Sequence, residues 1–417
     1  MQCDYVDGQL TLDGSALAAI AERYGTPCYV YSRAGIEARF RAYDEAFGTR
    51  AHRVCYAVKA NDNLSIIRAL GRLGAGFDIV SGGELERVLA TGAPAGDVVF
   101  SGVGKTAAEI QRALAAGVGC LNVESAAELA RIATAAAATG CAAPVAIRVN
   151  PDIDAGTHPY ISTGLKENKF GVPLDEARAL YRSARDNPWI EPRGIACHIG
   201  SQLTTIAPVV AAVREVVTLA AELAAEGIPL AHIDVGGGLG IRYEDERPPA
   251  IRALVEALLS EVPPHYEMVM EPGRSIVGEC GVLLTRVEYV KSTAARNFVI
   301  VDAAMNDLLR PALYDAWHEV LPCTAPAPGA RTLECDVVGP VCESGDWLAR
   351  GRTLVAAPGD LLAVMSAGAY AFAMASNYNA RPRPPEVLVE AGGPRLVRAR
   401  ERVAELMRDE MERLSEE

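Results

Sequence analysis

The feature that most constrains the fold is a regular alternation of short β-like runs and helical segments from about residue 30 to residue 275. The segments between the runs are rich in alanine and leucine, which favour helix. Strands that alternate with helices in this way are expected to be parallel and joined by crossover helices. Eight units of this kind predict a (β/α)8 barrel. The runs are VCYAVK (54–59), GFDIVS (76–81), DVVFSG (97–102), CLNVES (120–125), PVAIRVN (144–150), GIACHIGS (194–201), HIDVGGG (232–238) and YEMVMEPGR (266–274).

Polar and titratable residues gather where these predicted strands end. The chemistry of (β/α)8 enzymes lies at the C-terminal ends of the strands, which all meet at one rim of the barrel. The strand interiors, in contrast, are mostly Val, Ile, Ala and Met. The sequence therefore predicts a functional site on this rim, built from Lys59, Asp78, Ser81, Glu124, Arg148, Asn150, His198, Ser201, Gly236 to Gly238, Glu271 and Arg274.

The remainder of the chain predicts a second domain. After residue 275 the sequence changes to β-rich runs separated by Pro and Gly turns, which is typical of an antiparallel β-domain. Residues 1–29 do not fit the barrel count and are expected to contribute a strand to it. We therefore predict a barrel domain over 30–275 and a β-domain formed by 1–29 and 276–417. The last segment, RLVRARERVAELMRDEMERLSEE (395–417), predicts a charged terminal helix.

Charge and cysteine content exclude several classes of partner. The formal net charge of −13 argues against a nucleic-acid or anionic-membrane partner, because both require a basic face. No apolar run reaches about 18 residues, and the N-terminus lacks the regions of a signal peptide, so a cytoplasmic protein is expected. The ten cysteines show no spacing typical of zinc ligands and predict thiols that are mostly buried, with no metal site.

A glycine run and a lysine point to one cofactor. The run DVGGGLGIRY (234–243), with Ser201 and the loop MEPGRS (270–275), would form a phosphate cup on adjacent late strands, although a glycine-rich loop is as often only a tight turn. Lys59 alone would most often be a lysine that leads a strand into water. A lysine that faces a phosphate cup instead suggests pyridoxal 5′-phosphate. His198 would then stack on the cofactor ring and Glu271 would meet its nitrogen; the alternatives are a core histidine and a salt bridge at the barrel mouth.

Motifs along nearly the whole chain carry a family resemblance. The chain resembles the fold-type III pyridoxal-phosphate-dependent decarboxylases, whose fold is alanine racemase-like, and among them those that act on diaminopimelate. Many motifs in a consistent order are far more specific than any one of them. The motifs are YAVKAN (56–61), FDIVSGGEL (77–85), NVES (122–125), KFG (169–171), HIGSQ (198–202), DVGGGLG (234–240), EPGRS (271–275), CESGD (342–346), GAYAFAMASNYNARPRP (368–384) and RARE (398–401).

The resemblance implies roles for individual residues. Lys59 would bind the cofactor covalently, His198 would stack on its ring, and Glu271 would bind the ring nitrogen. The family works as a homodimer with shared active sites, in which Cys342, the proton donor, and Glu343 would come from the other subunit. The remaining cofactor-binding residues would be Asp78, Ser201, Gly237, Gly238, Gly273, Arg274 and Tyr370.

The resemblance also implies a reaction, namely decarboxylation of meso-2,6-diaminopimelate to L-lysine and CO2, the last step of lysine biosynthesis. The end of this substrate that does not react carries a carboxylate and an ammonium, and both charges need partners if they are buried. Two alternatives remain open: a decarboxylase of ornithine, lysine or arginine, and a homologue that binds the cofactor without turnover. The implied substrate-binding residues are Arg274, Arg310, Tyr314, Glu343 and Tyr370.

Overall fold

The structure is a computed structural model that describes residues 3–153 and 168–416. The chain forms two compact units. The first, which we call the barrel unit, comprises residues 37–242 and 246–276. The second, which we call the β-unit, comprises the residues up to 36, residues 243–245 and the residues from 277 onward.

The barrel unit contains eight parallel strands that close on themselves, so the predicted (β/α)8 barrel is confirmed. The eighth strand pairs with the first through Met268 and His52, and the fourth pairs with the fifth through Leu121 and Val145. A two-residue strand, Val172–Pro173, adds to the fifth strand outside the closed ring. In order, the barrel strands are His52–Ala57, Gly76–Ile79, Val98–Phe100, Cys120–Val123, Ala143–Asn150, Ile190–Cys197, His232–Asp234 and Glu267–Met270.

Among the described residues, seven helices connect these strands, and another, Arg33–Phe47, precedes the first strand. Some begin with a capping residue shortly after the strand: Ser81, two residues after the strand Gly76–Ile79, accepts from the N–H of Glu84. These short connections keep the strand-end side chains at the rim. The connecting helices are Leu64–Gly71, Gly82–Ala90, Ala107–Ala116, Ala126–Thr139, Leu174–Arg185, Ala207–Ala225 and Ile251–Glu261, and a short helix, Arg274–Val277, follows the last strand.

Small side chains fill the interior of the barrel. This cluster is completely apolar apart from two thiols, as expected for a packed core rather than a pore. Chemistry is therefore confined to the rim above it. The cluster consists of Cys55, Val99, Cys120, Ala146, Ala196 and Val269.

The β-unit contains a nine-stranded sheet, a three-stranded antiparallel sheet and the helix Leu17–Tyr24. Most pairs in the large sheet are antiparallel, as predicted, but two are parallel, and the N-terminal strand Cys28–Ser32 takes part in one of them. The three-stranded sheet is formed by Cys3–Val6, Gln9–Leu12 and Ser15–Ala16. The other strands of the large sheet are Gly281–Ser292, Asn297–Val301, Val320–Pro322, Leu333–Val338, Trp347–Leu354, Leu361–Val364, Glu386–Glu390 and Gly393–Arg398.

The terminal segment differs from the prediction. The prediction of a helix from residue 395 onward was wrong for residues 395–398. These residues belong to the strand Gly393–Arg398 and pair with Glu386–Glu390. The reason is a hairpin: Gly392 and Gly393, which has a φ of +98°, allow a tight turn where the strand begins, and Arg398 then forms an ion pair with the fully buried Glu386. The helical part is limited to Val403–Leu406 and Arg408–Leu414. Within the described ranges, no helix is both long and apolar enough to cross a membrane.

Candidate active site

Lys59 lies just beyond the first barrel strand, in a single turn of 3-10 helix, Val58–Ala60. Its ammonium donates to Oδ2 of Asp78, the carboxylate that ends the next strand. Asp78 is fully buried, whereas about a third of the Lys59 side chain, 35%, is exposed. Oδ1 of Asp78 has no hydrogen-bond partner among the described residues. The amine is therefore held at the rim by a buried charge and stays accessible from it.

A buried carboxyl pair lies at the ends of the seventh and eighth strands. Burial raises the pKa of Glu271 well above its usual range, and the carboxylates of Asp234 and Asp78 raise it further, whereas Lys59 opposes the rise. Burial also raises the pKa of Asp234, to about 6. Two carboxyl groups that share a buried site resist ionising together, so the pair retains a proton more readily than isolated carboxyl groups would.

Uncharged groups orient this carboxyl pair. Nδ2 of Asn122 donates to Oδ2 of Asp234 at 3.3 Å, and the hydroxyl of Ser101 donates to Oε1 of Glu271 at 3.3 Å. The N–H of Gly236 donates to Oδ1 of Asp234 at 2.9 Å. The two carboxyl groups are thus fixed in place at the rim.

His198 is held as a neutral imidazole. Its Nδ1 accepts a hydrogen bond from the N–H of Gly237 at 3.1 Å. Burial lowers the pKa of His198 well below its usual range, and the cations Arg148 and Lys59 lower it further. A neutral ring beside a lysine can serve as an apolar face, because it adds no second positive charge.

Arg274 and Ser201 meet at the rim. Nη2 of Arg274, which is 7% exposed, donates to the Ser201 hydroxyl at 3.0 Å. Beside them, glycine is required by close backbone packing. At Gly238, with φ of +99°, a Cβ would lie 2.2 Å from the carbonyl oxygen of Gly200. At Gly273 a Cβ would lie 3.0 Å from the Cβ atoms of Ala57 and Ala60. The glycines therefore let the late strand-end loops and the Lys59 turn approach each other.

A buried ion pair between Arg148 and Glu124 holds the backbone of His198. Nη1 of Arg148 donates to Oε1 of Glu124 at 2.9 Å, and a second nitrogen donates to the His198 carbonyl oxygen at 3.4 Å. Oε2 of Glu124 accepts from the N–H of Gly171 at 2.7 Å. The guanidinium also lies over the Phe170 ring, with 4.9 Å between Cζ and the ring centroid.

In the β-unit, Arg310 and Tyr314 are the first and last residues of one short helix. Arg310 is 6% exposed, and its Cζ lies 4.2 Å from the ring centroid of Tyr243. Its Nη1 donates to Nε2 of His318 at 2.7 Å. Arg310 is therefore a buried cation with a defined orientation, which differs from the half-exposed arginines of surface pairs.

The other predicted residues of the β-unit lie in two turns. Cys342 and Glu343 are exposed, and the N–H of Cys342 donates to Oδ1 of Asn379 at 3.0 Å. The turn that carries them is held by Asp346, which accepts from the N–H of Val341. Tyr370 is partly buried and has a positive φ of 53°.

The structure thus brings several of the predicted rim residues of the barrel unit into contact in pairs. Lys59 contacts Asp78, Arg274 contacts Ser201, and His198 contacts the glycine loop. Sequence reasoning missed Asp234 as a partner of Glu271, although an acidic residue inside the apolar strand HIDV was a signal. It also missed the supporting role of Asn122, although this residue opens the motif NVES (122–125).

Comparisons with known proteins agree with this geometry. The family model described as "Pyridoxal-dependent decarboxylase, pyridoxal binding domain" matches residues 33–278. A diaminopimelate decarboxylase from Pseudomonas aeruginosa is 56% identical over 407 residues, which cover 96% of this chain and 97% of that protein.

Two solved structures are similar to the chain at different levels. The crystal structure of diaminopimelate decarboxylase from Helicobacter pylori complexed with L-lysine has a TM-score of 0.91 and 44% sequence identity, and covers 95% of this chain and 99% of that one. Lysine/ornithine decarboxylase from Vibrio vulnificus complexed with putrescine has a TM-score of 0.79 at 23% identity, over 90% of this chain and 97% of that one; this likeness shows the fold alone. The chain therefore belongs to the diaminopimelate decarboxylases, within the family of pyridoxal-dependent decarboxylases.

Proposed function

We propose that the chain decarboxylates meso-2,6-diaminopimelate to L-lysine, with the barrel rim as the cofactor and reaction site. The observation that carries the proposal is the arrangement at the rim, where the Lys59 amine is held by Asp78 and the buried Glu271 is held by Ser101. The Helicobacter pylori relative is complexed with L-lysine, the product of this reaction. Family membership over nearly the full length supports the same conclusion.

The residues present fit pyridoxal phosphate, the cofactor of the family. Lys59 supplies an accessible amine, His198 a neutral ring, and Glu271 a carboxyl group that shares a proton with Asp234. Arg274 and Ser201 would hold the phosphate with the N–H groups of the glycine loops. When bound, the cofactor supplies an electron sink for the electron pair that remains after CO2 departs.

The chain's own groups control the protons of the reaction. Glu271, with Asp234 beside it, would supply a proton to the ring nitrogen of the cofactor, because burial raises the pKa of both carboxyl groups. Asp78 holds the Lys59 ammonium at the rim. Either Lys59 or Cys342 would then deliver a proton to the carbon that has lost CO2.

Arg310 would bind the carboxylate at the end of the substrate that does not react. A buried guanidinium that faces a carboxylate forms strong, often bidentate, hydrogen bonds. Tyr314, Tyr370 and Arg274 would complete the carboxylate site, and Glu343 would receive the ammonium. A decarboxylase of ornithine, lysine or arginine has no need of this arginine, because its substrates carry no second carboxylate.

We also propose that the enzyme is a cytoplasmic homodimer with shared sites. Cys342 and Glu343 are exposed in the single chain, which leaves them accessible to a second subunit. All ten cysteines are free and seven of them are buried, as the sequence predicted, and free thiols are typical of a reducing compartment.

The function is tested by identifying the products formed from meso-diaminopimelate, L-lysine and L-ornithine in separate incubations. Arg310→Met is expected to lower kcat/KM for meso-diaminopimelate by two to three orders of magnitude, the loss expected for about 3–4 kcal/mol of a charge-assisted pair. It should change little for L-lysine offered as substrate, because the only carboxylate of L-lysine is the one that leaves.

Arg350→Met is the matched control. Arg350 also stacks on an aromatic ring of the β-unit, 3.3 Å from the Trp347 centroid, but its side chain is 49% exposed. The Arg350→Met variant should have the same kcat/KM as wild type for both substrates. Equal losses for the two substrates in Arg310→Met, or a wild type that prefers L-lysine, would support the basic amino-acid decarboxylase instead.

A further inference from the structure

His318 is a fully buried histidine to which the sequence assigned no role. Three polar contacts hold it within the β-unit. Its Nε2 lies 2.7 Å from Nη1 of Arg310, its Nδ1 lies 2.8 Å from the carbonyl oxygen of Met365, and its own carbonyl oxygen accepts from Nη2 of Arg352 at 3.0 Å. The edge of its ring also meets Tyr243, with 5.3 Å between centroids and 74° between planes.

These partners determine the tautomer of His318. A guanidinium can only donate hydrogen bonds, so Nε2 must accept with its lone pair. A carbonyl oxygen can only accept, so Nδ1 must carry the proton that it donates to Met365. The ring is therefore neutral, and both of its nitrogens are engaged. It cannot rotate about its Cβ–Cγ bond without breaking both hydrogen bonds.

We infer that His318 is the positioning residue that orients Arg310 for the substrate carboxylate, and so helps to determine specificity. The inference rests on the proposed function, in which Arg310 binds that carboxylate. The Tyr243 ring packs against one face of the guanidinium, with 4.2 Å between the ring centroid and Cζ of Arg310. His318 holds it at one edge through Nη1, which fixes the in-plane rotation that a stacking contact leaves open.

Orientation matters here because recognition of a carboxylate by arginine is directional. A guanidinium presents its N–H groups in a rigid planar fork, and a bidentate pair requires that plane to be aligned with the carboxylate. A guanidinium that rotates over the Tyr243 ring would keep its charge but lose that alignment. His318 therefore acts on the affinity for a carboxylate, and has no direct contact with the reacting atoms in this scheme.

Two isosteric variants separate the contacts of His318. Glutamine places a carbonyl oxygen near the position of Nε2, so His318→Gln can still accept from Arg310. Asparagine places an amide near the position of Nδ1, so His318→Asn can still donate to Met365 but leaves Nη1 of Arg310 without this acceptor. A packing role would make the two variants similar, whereas a positioning role makes them differ.

The readout is inhibition by L-lysine and by cadaverine, measured on the holoenzyme. L-Lysine as product keeps the carboxylate that Arg310 would bind, and cadaverine lacks it. His318→Asn is expected to raise the inhibition constant of L-lysine about 10- to 100-fold, the effect of losing one charge-assisted hydrogen bond, and to leave that of cadaverine unchanged. The KM for meso-diaminopimelate should rise in parallel, with a smaller change in kcat.

The remaining outcomes are also decisive. His318→Gln should stay within a few fold of wild type for both ligands. Losses of equal size for L-lysine and cadaverine, or equal losses in the two variants, would overturn the inference and assign His318 to packing. If wild type decarboxylates meso-diaminopimelate and His318→Asn binds L-lysine normally, only this inference fails. If wild type does not act on meso-diaminopimelate, the proposed function itself fails.

Discussion

The buried ion pair between Arg148 and Glu124 offers a sharp test of how the barrel rim is held. The Glu124 side chain is 1% exposed and that of Arg148 is 10% exposed, so neither charge is well solvated. Glu124→Gln keeps an oxygen for the N–H of Gly171 but turns an amide toward a guanidinium that can only donate. The variant therefore leaves a buried cation beside His198.

The size of the effect follows from this geometry. Removing one partner of a buried pair costs about 3–5 kcal/mol, because an uncompensated charge remains. Arg148 keeps the His198 carbonyl and the Phe170 face as weak partners, which places the expected loss near the lower end, about 3 kcal/mol. With a urea slope of about 3 kcal/mol per molar, the denaturation midpoint should fall by about 1 M.

The assay is urea denaturation of wild type and variants. Midpoints are compared between proteins whose free energy of unfolding falls equally steeply with urea concentration. In Glu124→Gln/Arg148→Met the lone cation is gone, so the midpoint should return to within about 0.3 M of wild type. Glu261→Gln is the matched control. Its partner Arg214 lies at 2.7 Å but is 63% exposed, and loss of such a surface pair should cost less than about 1 kcal/mol.

Two results would refute this reasoning. The first is a Glu124→Gln midpoint no lower than that of the Glu261→Gln control. The second is a double variant as unstable as the single one, which would mean that the loss comes from packing and not from an unpaired charge.

Three further predictions concern the site. Borohydride reduction of the holoenzyme should fix the cofactor covalently on Lys59, and a Lys59→Ala protein that still forms the adduct at one site would contradict the assignment. Mixed subunits of Lys59→Ala and Cys342→Ala should regain part of the activity if sites are shared; no recovery despite proven subunit exchange would indicate self-contained sites. Because burial raises the pKa of Asp234 to about 6, the folded apoprotein binds this proton more tightly than the unfolded chain, and stability should fall as the pH rises from about 4 to about 6. In urea denaturation, the free energy of unfolding of Asp234→Asn should change over this pH range by up to about 3 kcal/mol less than that of wild type. A pH dependence equal to that of wild type would argue against a shared proton.

Much of the site was predictable because it depends on repetition. Each βα unit ends its strand at the same rim, so strand-end residues such as Lys59, Asp78 and Glu271 are brought together by the closure of the barrel alone. The family motifs added roles to these positions. Strand ends were predicted only approximately: Lys59 lies in a 3-10 turn that follows the strand His52–Ala57.

The tertiary structure alone decided which side chains act on one another. Asp234 and Glu271 are 37 positions apart in sequence, and nothing local indicates that they share a proton; the shift in their pKa arises from burial in a common dry site. Likewise, His318 becomes an acceptor for Arg310 only because Met365, nearly fifty residues later, takes its other nitrogen. Residues 395–398 likewise form a strand despite their helical pattern, because folding pairs them with the strand Glu386–Glu390. Local sequence sets the period of strands and helices, whereas burial, tautomers and pairing depend on groups that only folding brings within a few ångströms.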